Sequence, residues 1–231
     1  MQNVVDAVNR AGRAVPSWVV YVAGAVPFAW LVWAVLSNSL GPDPVKAVEH
    51  RLGLWALQFL IAGLAVTPLR RLGVNLIRHR RALGLVAFFY VLLHFLAWVV
   101  LDMALDWGQI VQALWKRPYI LIGFAALVAM VPLAVTSTNA AIRRLGPKGW
   151  GRLHKLMYGI VAAGALHYLL LVKVISAKPV NYAVVILALL AVRLIPKASR
   201  MQTALSRAQG AIFLRTRRQD GASVAPNHKI L

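Results

Sequence analysis

Six apolar runs dominate the chain, at about 16–36, 52–68, 82–101, 118–136, 152–172 and 180–196. Each approaches the roughly 17–25 residues that a helix needs to cross the hydrocarbon of a bilayer. In that solvent a backbone amide must be satisfied inside the protein, which leaves helices as the economical solution. The expected fold is an all-α integral membrane protein, a six-helix transmembrane bundle. Two runs carry a weaker signal: Pro68 should stop the second after about 16 residues, and Arg193 interrupts the sixth near its end, where it can snorkel to the interface. The first run is too long for a signal peptide and lacks a small-residue cleavage site, so it reads as a retained helix.

Charge orients these spans. Only 14% of the 231 residues are charged, against about a quarter in a soluble domain. The formal net charge of +20 would suggest nucleic acid in a soluble protein, but here the bases sort by side. With the N-terminus in the cytoplasm, that compartment receives Arg10, Arg13, Arg70, Arg71, Arg78, Arg80 and Arg81. It also receives Arg143, Arg144, Lys148, Arg152, Lys155 and the bases from Arg193 onward, 20 of the 26 Lys/Arg in all. The other side keeps Lys46, Arg51, Lys116, Arg117, Lys173 and Lys178, together with Asp43, Glu49, Asp102 and Asp106. The positive-inside rule then places both termini in the cytoplasm and makes the charge a topology signal rather than a nucleic-acid footprint.

The chain divides into a cytoplasmic N-terminal segment (1–15), a membrane domain (16–196) and a basic tail (197–231). In the tail, Met201, Leu205, Ala208 and Ile212 recur at helical spacing, which suits an amphipathic surface helix before a disordered end, or equally a solvated tail. So short a tail has no room for a nucleotide-binding domain, and no G-x-G-x-x-G follows a strand pattern.

The chain contains no cysteine, which excludes disulfides, thiolate zinc sites, iron–sulfur clusters and covalent haem attachment. With six carboxylates, a paired-carboxylate hydrolase or an acidic proton relay is poorly supported. Histidine remains. His50, His79 and His228 fall in loops or the tail, whereas His94 lies in the third span and His154 and His167 lie in the fifth. An imidazole in hydrocarbon is costly unless something satisfies it, and three on two helices with few acids nearby ask for a ligand.

Depth narrows the choice. At about 1.5 Å per residue, His94 sits roughly 18 Å above the start of its helix near Ala82, and His167 roughly 20 Å above His154. His94 and His167 are thus level, in the outer half of the membrane, and two imidazoles at one depth make an axial pair for a non-covalent haem iron. Small residues on these helices, Gly84 and Ala87 on one and Ala163 and Gly164 on the other, leave room for a flat macrocycle or serve helix packing. Thirteen residues turn an ideal helix by about 1300°, which leaves His154 and His167 about 140° apart. His154 reaches a second haem only if the helix start is irregular. Zinc would want three or four convergent ligands, and a histidine proton relay would want acidic partners.

At these histidines the sequence resembles a known family. The stretches RRALGLVAFFYVLLHFLAW (Arg80–Trp98), KRPYILIGFAALVAMVPLAVTS (Lys116–Ser137) and GWGRLHKLMYGIVAAGALHY (Gly149–Tyr168) look like those of the MsrQ (YedZ) proteins. These are haem-binding membrane subunits of the bacterial periplasmic methionine sulfoxide reductase system, within the ferric-reductase-like transmembrane superfamily. The resemblance implies an inner-membrane electron-transfer subunit that takes electrons from the quinone pool. It would pass them through b-type haem and flavin mononucleotide (FMN) to a periplasmic molybdopterin-containing partner, MsrP, which repairs oxidised proteins. It also implies that His94, His154 and His167 are haem-iron ligands and that Arg80 and Arg81 are the family's arginine pair, able to meet a flavin phosphate or a quinone oxygen. Positive-inside anchoring explains the same arginines without a ligand. Relatives in the superfamily usually carry a second histidine in the third span, where this chain has Arg80, with His79 one residue off. Asp102, Asp106 and Trp107, just beyond His94, are candidates for partner docking, and Trp107 reads as readily as an interfacial anchor. Two rival functions stand beside this one: a stand-alone ferric or other metal reductase, and a non-redox transporter or scaffold.

Overall fold

The computed structural model describes residues 2–172 and 176–194. Among the described residues it is all helical: α1 (Gln2–Ala14), α2 (Trp18–Leu36), α3 (Pro44–Arg71), α4 (Arg80–Ala97), α5 (Trp107–Lys116), α6 (Pro118–Val135), α7 (Asn139–Leu153), α8 (Leu156–Leu171) and α9 (Ala177–Leu194). A short 3₁₀ turn, Ile77–His79, leads into α4, and a π-helical turn, Trp98–Asp102, extends it. The expected tail helix around Met201–Ile212 lies outside the described residues.

Among the described residues, four segments are long and apolar enough to cross a membrane: Trp18–Leu36, Pro44–Arg71, Ile77–Asp102 and Pro118–Val135. α8 is apolar but shorter, at 16 residues. Three boundaries differ from the sequence reading, each for a local reason. α3 starts at Pro44, ahead of the apolar run, because Asp43 caps it by accepting from the Lys46 amide at 3.0 Å and Pro44 suits a first turn. It also runs through Pro68 to Arg71, since a proline in the last turn of a membrane helix costs little more than one backbone bond. The fifth run is divided: α7 ends at Leu153, His154 caps it, and α8 begins at Leu156.

Three helices, α1, α5 and α7, were not anticipated. They lie in polar or mixed sequence, where the cues are caps rather than apolar runs. Thr138 accepts from the Ala141 amide, and Asp106 accepts from both the Gln109 amide and its side chain.

The core is a ring of four helices in which α3 packs on α4, α4 on α6, α6 on α8 and α8 on α3. Leu57, Leu60 and Leu64 of α3 bury against Met130 and Leu133 of α6 and Ile160 and Val161 of α8, and Ala183 and Ile186 of α9 join the same cluster. α2 closes on α4 at Gly24, where an added Cβ would stand 2.7 Å from Val86. This close approach lets the buried Tyr90 hydroxyl donate to the Gly24 carbonyl at 2.6 Å. At the opposite terminus of α4, α1 is tied to the α3–α4 loop: Asn9 donates to the Gly73 carbonyl and accepts from the Asn75 amide.

Candidate haem site

The four-helix ring encloses a cavity of about 510 Å³. Its wall is largely hydrocarbon, with Leu57 and Leu60 from α3, Leu127 and Met130 from α6 and Ile160 from α8. Polar groups gather toward one end: Lys46, Glu49 and His50 from α3, Asp102 at the end of the π turn, and Arg117 before α6. Lys46 Nζ and Asp102 form an ion pair there at 2.8 Å.

His94 and His167 both line this cavity, with ring centroids 6.1 Å apart and planes at 79°. Helix geometry placed them at one depth, and the folded chain brings them together with the rings nearly perpendicular. The Nδ1 atom of His94 lies 2.9 Å from the Glu49 carbonyl on α3, and that of His167 lies 2.6 Å from the Tyr119 carbonyl on α6. A carbonyl can only accept, so in each ring Nδ1 carries the proton and Nε2 keeps its lone pair. A hydrogen bond from Nδ1 to a carbonyl is how proteins fix the tautomer and aim of metal-binding imidazoles.

Room for the rings comes from glycines on the neighbouring helices. A Cβ on Gly123 would stand 2.8 Å from His167 Nδ1, and one on Gly53 would stand 3.2 Å from the His94 ring. The sequence reading looked for that space elsewhere. Gly164 does line the cavity, but Ala87 is buried in the hydrophobic core and Gly84 faces open space within 4 Å. Gly53 and Gly123 were missed because they lie on other helices, with no pattern linking them to a histidine. His50 was expected in a loop. It lies within α3 and borders the cavity, its ring 6.0 Å from that of Tyr168.

His154 stands apart from this pair. It caps α7, stacks on Trp150 at 3.7 Å with planes 24° apart, and has Nδ1 3.1 Å from the Trp150 carbonyl. Its Nε2 is buried without a hydrogen-bond partner. The turn at residues 154–155 breaks the continuous helix assumed in the angular argument, so the orientation of His154 is independent of α8. Arg80, half-buried at the start of α4, is near enough for its charge to act on that imidazole, whereas Arg81 is exposed. His79 is buried beside them, its Nε2 3.0 Å from the Gly12 carbonyl.

A tetrapyrrole brings four nitrogens of its own and needs only one or two from the protein. Two imidazoles with free Nε2 atoms in a mostly apolar cavity fit that requirement. Among the described residues no group of three or more His, Asp or Glu converges as a metal site.

Comparison with known proteins agrees with this chemistry. Residues 49–165 match the family described as ferric reductase like transmembrane component, a segment that includes His94 and His154 and ends two residues before His167. The chain is 48% identical over 194 residues to the protein-methionine-sulfoxide reductase heme-binding subunit MsrQ of Brucella anthropi, covering 84% of this chain and 88% of that one. The subunits of the same name from Brucella ovis and Brucella suis are 48% identical over 200 residues, covering 86% of this chain and 90% of theirs. Similarity of this extent shows that the chain belongs to the MsrQ family and, with it, to the ferric reductase like transmembrane components.

Proposed function

We propose that this protein is the haem-carrying membrane subunit of a methionine sulfoxide reductase system. In this reading it moves electrons from quinol, through b-type haem and FMN, to a periplasmic molybdopterin-containing catalytic subunit of the MsrP kind. The observation that carries the proposal is the His94–His167 pair, each ring with Nδ1 bonded to a carbonyl and Nε2 free, in one cavity. When bound, the haem supplies a one-electron centre.

The chain's own residues do the rest. His94 and His167 would hold the haem iron through Nε2, and the Glu49 and Tyr119 carbonyls keep each ring in the required tautomer. The hydrocarbon wall of Leu57, Leu127 and Ile160 excludes water and lowers the local dielectric, which strengthens every electrostatic interaction inside. His154, with its unpartnered Nε2, is the third candidate ligand. Arg80 and Arg81 are the candidates for a flavin phosphate or a quinone oxygen, with Arg80 the better placed because it is half-buried beside His154.

Orientation follows from charge. The end of the bundle bearing Arg70, Arg71, Arg78, Arg80 and Arg81 is the cytoplasmic face of a bacterial inner membrane, with six spans (α2, α3, α4, α6, α8 and α9) and both termini inside. The mouth of the cavity, with Lys46 and Asp102, then opens to the periplasm, where the catalytic subunit works.

A reduced-minus-oxidised optical spectrum of the full-length protein, purified from membranes, tests the reading. A b-type band that disappears in both His94→Ala and His167→Ala is expected, and its absence from the unmodified protein would overturn the redox function. The family match also favours a second reading, a stand-alone ferric reductase. Reduction of ferric chelates by quinol without any partner protein would support it.

A further inference from the structure

We propose that α5 is an interfacial helix whose exposed apolar stripe, Trp107, Val111 and Trp115, is seated in the lipid headgroup boundary at the mouth of the His94–His167 cavity. α5 joins two membrane-crossing segments, one ending at Asp102 and the next beginning at Pro118. Its 10 residues span only about 15 Å, half the hydrocarbon thickness, so it connects these segments along one face of the membrane.

Its side chains divide into three arcs. Ile110 and Ala113 are buried, on the side where α5 packs against α6. At about 100° per residue, Trp107, Val111 and Trp115 fall within about 80° of one another, and Gln112, Lys116 and Gln109 fill the arc between this stripe and the buried side, starting about 60° beyond Trp115. The three apolar side chains are 67%, 53% and 80% exposed. An open stripe of two tryptophans and a valine is poorly suited to water. At a membrane interface, however, indole rings are favoured, because the ring is apolar and its N–H seeks a polar partner.

Exposed apolar residues flank the stripe along the chain, Val100, Leu101 and Leu105 before it and Leu121 after it, and Lys116 and Arg117 add two cations at its end. Lipid therefore fits this face better than a protein partner. The arrangement has a consequence for the cavity. Asp102 and Arg117 line it and bracket α5, so a helix anchored in the headgroups holds the mouth at the water boundary. His94, eight residues before Asp102, lies about 12 Å below.

The absence of native cysteine makes the test clean. Val111→Cys, Trp115→Cys and Gln112→Cys are introduced singly into the full chain, spin-labelled and reconstituted in phosphatidylcholine–phosphatidylglycerol nanodiscs. Collision with oxygen is then compared with collision with a water-soluble nickel chelate. The expected result is an oxygen-to-nickel ratio at least about threefold higher at 111 and 115 than at 112. Equal nickel access at all three positions would overturn the proposal. So would protection of 111 and 115 that appears only when a periplasmic catalytic subunit is added, since the stripe would then be a protein-docking face. Should a label disturb the fold, quenching of the unlabelled protein's tryptophans by brominated lipid, reduced in Trp107→Phe/Trp115→Phe, decides the same question.

Discussion

A Cβ on Gly123 would stand 2.8 Å from His167 Nδ1, the atom that holds the ring to the Tyr119 carbonyl. No real Cβ tolerates that separation, so ring and glycine share one space. Gly123→Ala is expected to push the imidazole off its carbonyl, at an overpacking cost of about 1–3 kcal/mol, and to lower haem per protein severely. Gly53→Ala, with its nearest ring atom at 3.2 Å, should do the same more mildly. Soret absorbance per mole of purified protein measures both.

His94→Ala and His167→Ala should each reduce haem content about tenfold or more, since half of an axial pair is lost. His50→Ala borders the same cavity without a place in the pair, and it should retain the bound-haem spectrum, as should His228→Ala. Pyridine haemochrome assay of the four variants discriminates. Full haem in His167→Ala would refute the pairing.

At the basic end, His154→Ala should lower total haem while leaving the spectral signature of the His94–His167 species unchanged. Arg80→Ala should reduce flavin content more than Arg81→Ala, because only Arg80 is half-buried beside His154. Flavin fluorescence after denaturation gives the comparison. Equal, unaltered flavin in both variants would make these arginines topology anchors only.

Tyr90→Phe removes a fully buried hydroxyl from the Gly24 carbonyl that joins α2 to α4. A loss of about 0.5–1.5 kcal/mol is expected, with haem content unaffected. Thermal or denaturant unfolding in detergent measures the first and absorbance the second.

Asp106 heads α5 from outside the spans. Hydrogen bonds from the Gln109 amide and then its side chain hold its carboxyl below the usual range, with a further contribution from the Gly108 amide. A depressed folded-state value means that the carboxylate's contribution is complete above the unfolded value, near pH 3.9. It is lost as pH falls through the lower folded value. α5 should therefore loosen only below about pH 4, and Asp106→Ala should abolish that step. A spin label at position 112, followed by line shape against pH, reports it.

Much of this architecture was legible beforehand, and what was missed shares one cause. Long apolar runs announce spans because hydrocarbon penalises every polar residue, and counting 1.5 Å per residue suffices to level His94 with His167. What the sequence hides is set between helices. Glu49 matters here through its carbonyl, Tyr119 likewise, and a main-chain acceptor leaves no mark in residue type. Gly53 and Gly123 serve rings on other helices, and the break at residues 154–155 sits in a stretch with no proline or glycine between Leu153 and Leu156 to announce it. α5 has no span-length apolar run, and its mark in the sequence is Asp106 at capping distance from Gln109.

Each of the two imidazoles completes its hydrogen bond within a local pair of helices: His94 of α4 with α3, and His167 of α8 with α6. The molecule thus carries two half-clasps, one on α3–α4 and one on α6–α8. A cofactor gripped by both would pin α3–α4 to α6–α8 across a seam that Leu57, Leu60, Met130 and Ile160 also close, and its loss should loosen that seam first.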